Sequence, residues 1–339
     1  MTNKNIHQSK LFDALKLVEL TNGRKTKLQV LNYGAALFRL EFLMSNGEYL
    51  NVLVSPEKPE DFLSQAYHLR NQCFGASVGR FAGRISHGHF NLNGEKYPLY
   101  TEDGVHLHGG KRGFTYKFWN IEEVTKHPNP SVRLSYLSED GEEGYPGNLQ
   151  VSVTYTLTEE DEVKIEYTAV TDTDTIVNLT NHAYFNLNGG GNIKDHLMQL
   201  KAEEVLAVDE DLMPTGEFQK VRDTWMDFTS LRPIGEATLD DVYVLAEADT
   251  EGERMILKGS ESGISLHIES NQPAVVVYIP EKLPDDWNYQ TEIAKSKPSV
   301  CLETQNFPDA PHYAHFPSSV LRPGEVYRNK IKWAFTVPK

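Results

Sequence analysis

The sequence predicts an all-β protein, built as one large antiparallel sandwich. Three observations predict it. Apolar and polar residues alternate in short runs along most of the chain, the pattern of strands with one buried face. Turn residues punctuate these runs at short intervals, without the strand–helix alternation that builds a parallel sheet. No Ser/Gly-rich linker and no short internal repeat divides the chain, so residues 1–339 are expected to form one domain.

Taken in order, Lys27-Leu-Gln-Val-Leu-Asn-Tyr33 alternates and reads as the first clear strand. Pro59-Glu-Asp-Phe-Leu63 carries one of the few short helical patterns. Phe90-Asn-Leu-Asn-Gly-Glu-Lys-Tyr97 places Asn-Gly between half-buried runs and predicts a hairpin. Val132–Tyr136, Leu149–Leu157 and Val163–Tyr167 alternate, the last two joined by the acidic turn Thr158-Glu-Glu-Asp-Glu162. Ile264–Ile268, Ala274–Ile279 and Tyr327–Phe335 are further strands, and Gly189-Gly190-Gly191 a flexible turn. Ser299-Val-Cys-Leu302 reads as a buried strand ending at Glu303, followed by a loop stiffened by Pro308, Pro311 and Pro317.

With 339 residues, 39% of them hydrophobic, the chain can bury a large core. Its formal net charge of −15 disfavours nucleic acid and anionic membrane surfaces as partners, since both attract clustered Lys and Arg. No run approaches the roughly 18 apolar residues of a membrane span. The opening stretch MTNKNIHQSKLF has no apolar core of a signal peptide, and two cysteines make no disulfide framework, so a reducing cytoplasm is expected. The 15 Phe, 16 Tyr and 4 Trp mostly suit a β core, with a few left to face a sugar ring.

Four segments set reactive side chains among apolar or Gly-rich neighbours: Val78-Gly-Arg-Phe-Ala-Gly-Arg-Ile85, Val105-His-Leu-His-Gly-Gly110, Val177-Asn-Leu-Thr-Asn-His-Ala-Tyr-Phe-Asn186, and the stretch around Glu303. Alone, His182 suits a satisfied core histidine as well as a catalytic one. Glu303 is costly to bury unpaired, so it needs a partner, either an ion pair with Arg80, Arg84 or Arg322, or His182. Facing each other across a pocket, His182 and Glu303 make an acid/base pair. His87/His89, His106/His108 and His312/His315 have metal-like spacings, but no third ligand is fixed locally and no metal is expected. Gly109-Gly110 could form an anion nest, but lacks the Lys-Ser/Thr of a P-loop.

Together these segments resemble the aldose 1-epimerase (galactose mutarotase) family over nearly the whole chain. The marks are Gly79-Arg-Phe-Ala-Gly-Arg-Ile85, Leu107-His-Gly-Gly110, Asn178-Leu-Thr-Asn-His-Ala-Tyr-Phe-Asn-Leu187, Leu302-Glu-Thr-Gln-Asn-Phe-Pro-Asp-Ala310 and Leu321-Arg-Pro-Gly-Glu325. The resemblance implies a large antiparallel β-supersandwich with an open sugar cleft. It implies Glu303 as general base and His182 as general acid, with Arg84, His108 and Asp240, or its neighbour Asp241, binding the sugar. The implied reaction interconverts the α and β anomers of aldohexoses such as D-glucose and D-galactose, without a cofactor, in a monomer or homodimer.

Three departures bear on sugar preference. Gly83 stands where many members have Asn, Asn306 replaces a frequent His, and Ala274-Val-Val-Val-Tyr-Ile-Pro280 lacks the usual polar residues after its tyrosine. Alternative readings are a hexose-6-phosphate 1-epimerase using Arg80, Arg84, Lys111 and Arg112, a glycosidase pairing Glu303 with Asp240 or Asp241, and a non-catalytic carbohydrate-binding module.

Overall fold

Period-two alternation becomes strand along nearly every run that shows it. A computed structural model describes residues 11–70, 72–102, 104–245 and 253–338. The opening stretch read for a leader lies, up to residue 10, outside the described residues.

The largest sheet is nine-stranded and antiparallel. Its centre is a ladder of Ser131–Ser138, Leu149–Leu157, Glu162–Thr171, Tyr327–Thr336 and Ser265–Ser270. Val153, Tyr155, Leu157, Val163, Ile165 and Tyr167 are buried, as are Ile331, Trp333 and Phe335. They recur at every second position, so a single face of the sheet supplies the core.

A six-stranded antiparallel sheet contributes to the same core. Its strands run in the order Tyr184–Phe185, Val300–Gln305, Ala274–Tyr278, Asp240–Val244, Glu204–Val208 and Pro214–Lys220. Val275, Val277, Val300 and Leu302 join the cluster that holds Val153, Tyr167 and Trp333. The remaining alternate residues of these strands therefore point the other way. A four-stranded sheet, Leu17–Thr21, Lys27–Leu31, Leu37–Leu43 and Tyr49–Asn51, adds Leu28, Val30, Leu40 and Phe42 to the same cluster.

The short helical pattern is a 3-10 turn over Pro59–Leu63, followed by a helix over Gln65–Arg70. The Asn93-Gly94 hairpin joins His89–Leu92 to Glu95–Pro98. Among the described residues no helix is long and apolar enough to cross a membrane, and Cys73 and Cys301 are buried and outside any disulfide.

One expectation changes. The strand does not end at Glu303 but runs on to Gln305, with all six residues buried. Glu303 pairs in register with Val276, near the middle of the sheet.

Candidate active site

Register decides what faces the cleft. Val276 pairs with Glu303 on one side and Val242 on the other, and Tyr278 pairs with Cys301 and Asp240. Cross-strand partners share a face. The face turned away from the main core thus carries Asp240, Val242, Val276, Tyr278 and Glu303, and all five line one cleft. Arg84, His108, His182, Tyr184 and Gly83 line it too. Four sequence segments far apart in the chain converge there.

His182 sits between the short strands Thr180–Asn181 and Tyr184–Phe185. Its backbone is held at both ends, the N–H donating to Ala76 O (2.9 Å) and the carbonyl accepting from Gly75 N (2.9 Å). The Tyr184 ring stacks on the imidazole at 5.0 Å and 23°, and Phe74 backs Tyr184 at 4.6 Å. The Tyr184 hydroxyl donates to Gln72 O at 2.7 Å. His108 and Tyr278 approach His182 edge-on. The ring is therefore fixed by packing, with Nε2 3.4 Å from Glu303 Oε1.

That separation is just beyond a normal N–H···O hydrogen bond. His182 Nδ1 and Glu303 Oε2 are buried and have no hydrogen-bond partner among the described residues. Orphaned buried polar atoms are rare in cores and need a reason. Burial pushes the Glu303 carboxyl well above the usual carboxylate range, Asp240 adds to the rise, and Arg84 opposes it. Burial lowers His182 to about 4. With both groups out of water, desolvation favours the neutral carboxyl and the neutral imidazole. A carboxylate facing an imidazolium is the same pair holding the same single proton. The arrangement can therefore take one proton and give another without changing its net charge.

Arg84 Nη2 and Asp240 Oδ2 lie 3.3 Å apart at the cleft, both partly exposed. They offer donors and an acceptor to a polyhydroxylated ligand. Asp241, next in the strand, points to the opposite face and does not line the cleft. Asp309 anchors the proline-rich rim. It is fully buried, its N–H donates to Arg84 O (2.8 Å), and its Oδ1 accepts from Ser86 N (3.0 Å).

Several sequence expectations dissolve in the geometry. Arg80 is no partner for Glu303, because its guanidinium is caged by Ser138, Pro146 O, Gly147 O and Glu139 O. Arg322 lies 3.9 Å from Asp174. The Gly109-Gly110 nest is already filled. Glu143 accepts from Lys111 N (2.9 Å) and Arg112 N (3.1 Å), and a Cβ on Gly110 would stand 2.4 Å from its Oε2.

The histidine pairs also separate. His106 donates through Nδ1 to Tyr100 O and accepts from the Tyr145 hydroxyl, whereas His108 turns to the cleft. His315 donates to Gly216 O. The rings of His87, His89 and His312 lie 5.7–6.2 Å apart, but among the described residues no three His, Cys, Asp or Glu side chains are disposed to hold an ion.

The aldose 1-epimerase family model matches residues 16–334. The chain belongs to the aldose 1-epimerase family. It is 34% identical to galactose mutarotase of Sus scrofa over 322 residues, covering 92% of this chain and 91% of the relative. It is 30% identical to aldose 1-epimerase of Escherichia coli (strain K12), covering 94% and 95%. An aldose epimerase homologue from C. elegans superposes with a TM-score of 0.86 at 28% identity, covering 96% of this chain and all of that one. A galactose 1-epimerase from Lactobacillus acidophilus NCFM gives 0.81 at 27% identity, over 96% and 95%.

In this chain the departures from the family pattern fall into two kinds. Asn306 is structural, donating to Pro317 O (2.8 Å) while its backbone N–H donates to Asn178 Oδ1 (2.9 Å). Val276 and Gly83 line the cleft itself. Residues that sequence reasoning missed include Gln72, Leu212 and Pro214 at the cleft. No local pattern marks them; Tyr278 was missed too, although strand alternation, which puts it on the same face as Val276, could have found it.

Proposed function

We propose that the chain catalyses the interconversion of the α and β anomers of aldohexoses, with Glu303 and His182 moving the protons. The observation that carries this reading is the His182–Glu303 pair, 3.4 Å apart and buried, lining one cleft with Arg84, His108 and Asp240. Membership in a family whose relatives are named galactose mutarotase and aldose 1-epimerase supports it.

Opening the ring requires a proton to leave the C1 hydroxyl and another to reach the ring oxygen. In the productive form Glu303 is carboxylate and His182 imidazolium, reached by passing the shared proton across the 3.4 Å gap. Arg84 and sugar hydroxyls favour the carboxylate. Glu303 then takes the O1 proton as C1=O1 forms, the C1–O5 bond breaks, and His182 protonates O5. The aldehyde turns about C1–C2 and the ring closes on the other face, with the two residues exchanging roles. Such proton transfers are worth about 10²–10⁴ in rate. Electrons stay within the sugar, so no redox cofactor is called for.

On this reading Arg84, Asp240 and His108 hold the sugar hydroxyls, and D-glucose and D-galactose are the substrates to test. The chain works as one domain, as monomer or homodimer, in the cytoplasm. Of Arg80, Arg84, Lys111 and Arg112, only Arg84 lines the cleft, which speaks against a phosphorylated hexose. Polarimetry on freshly dissolved α-D-glucose and α-D-galactose tests the proposal. Acceleration of the approach to equilibrium rotation is expected, and rates equal to buffer for both sugars refute it.

A further inference from the structure

We propose that Gly83 is a positioning residue whose backbone N–H fixes the tautomer of His108, so that His108 meets the sugar only as a donor through Nε2. The proposal rests on the sugar-binding reading of the cleft.

Gly83 N lies 3.2 Å from His108 Nδ1, and His108 N donates back to Gly83 O at 3.1 Å. The two residues are clamped together beside the Arg84–Leu107 strand pair. A peptide N–H can only donate, so Nδ1 must present its lone pair. A neutral imidazole with a lone pair at Nδ1 carries its hydrogen on Nε2. The other tautomer would set two donors against each other and leave the Gly83 N–H without an acceptor, which favours the Nε2–H form by about tenfold or more. Burial first, then the electrostatic influence of His182, Arg84 and His106, drives His108 well below the ordinary histidine range and favours the neutral ring.

Two consequences follow for recognition. Nε2–H cannot accept a proton from a sugar hydroxyl, which removes His108 as a rival base to Glu303. It also seeks an oxygen lone pair, so it orients the bound hydroxyl and sends that hydroxyl's own hydrogen elsewhere.

A side chain at this position is strained in this chain. Its φ is +81°, and a Cβ would stand 2.9 Å from Pro308 Cγ and 3.2 Å from Gln305 Nε2. A side chain pushes on the rim and draws the N–H away from Nδ1.

The test is long-range ¹H–¹⁵N correlation of the histidine rings in the sugar-free, ¹⁵N-labelled protein, with His108 assigned by its loss in His108→Gln. One protonated Nε2 and one unprotonated Nδ1, unchanged across neutral pH, are expected. A protonated Nδ1, or averaged tautomers, overturns the proposal. Because no turnover is involved, this result is independent of whether polarimetry supports the anomer reading.

Gly83→Ala should blur the tautomer and raise KM about tenfold, with kcat within about threefold. Gly94→Ala is the control, since Gly94 has φ +83° with nothing within 4 Å of a Cβ; it should change neither readout. Gly83→Ala with an unaltered spectrum and KM also overturns the proposal. If that variant does not fold, the wild-type spectrum alone decides.

Discussion

Replacing Glu303 by Gln separates catalysis from stability. Gln keeps the shape of the protonated carboxyl that burial favours, but it cannot accept a proton. Loss of the base should slow mutarotation by about 10²–10⁴, or roughly 2.7–5.4 kcal/mol in barrier. Stability should move the other way. The folded-state pKa of Glu303 is raised above its unfolded value, so its stabilising protonated form is fully retained below the unfolded pKa. As pH rises past the unfolded pKa of about 4.3, the unfolded chain gives up the proton and the folded chain keeps it. Wild type then loses about 1.4 kcal/mol per pH unit relative to Gln, until the folded carboxyl ionises. Glu303→Gln should therefore match wild type near pH 4 and melt increasingly above it towards pH 7. Polarimetric rates and thermal melts at pH 4, 5, 6 and 7 supply both readouts. Retention of more than about a tenth of the wild-type rate would place the base elsewhere. An unchanged melting difference between pH 4 and pH 7 would refute the buried neutral carboxyl.

Further outcomes follow from the same geometry. His182→Asn should slow turnover about 10²-fold or more. Wild-type kcat/KM should fall on the acid side, as the pair gains a second proton near the lowered His182 value of about 4, and on the alkaline side, as it loses its only proton. The residual activity of His182→Asn should instead rise with pH as Glu303 ionises; a retained alkaline fall would exclude His182 as the acid. Tyr184→Leu removes the stacked ring and should cost up to ~10² in kcat, whereas Tyr184→Phe keeps the stack and should stay within a few-fold. Equal losses in the two would show that the hydroxyl, not the ring, matters. Treatment with EDTA should leave the rate unchanged, since the proposed pair moves both protons itself; a loss restored by zinc would contradict this.

Much of the architecture was legible because period-two alternation is a direct image of a sheet with one buried face, as in Leu149–Leu157. The strand through Glu303 was misjudged for an instructive reason. A carboxylate after an apolar run resembles a strand end, yet the outer face of a central strand tolerates polarity when it floors a cleft. Asp240 and Asp241 could not be told apart by type; only the register with Tyr278 and Val277 separates their faces. Arg80 looked available because its cage, from Ser138 to Gly147, lies about 60 residues away in sequence. The filled nest was hidden likewise, since nothing near Gly110 announces Glu143. Long-range closure, rather than local propensity, was what the chain kept out of view.

The strand Val300–Gln305 also constrains how such a protein can be altered. Leu302 belongs to the main core and Glu303 to the cleft, so one backbone carries both. A one-residue slip would exchange them, burying the carboxyl in the core and turning Leu302 to the cleft. Selection for a stable core is thereby selection for a correctly aimed base, and neither can drift alone. The rim positions Gln72 and Leu212 carry no such double duty. A library built to change sugar preference should diversify those positions and leave the sheet floor as inherited.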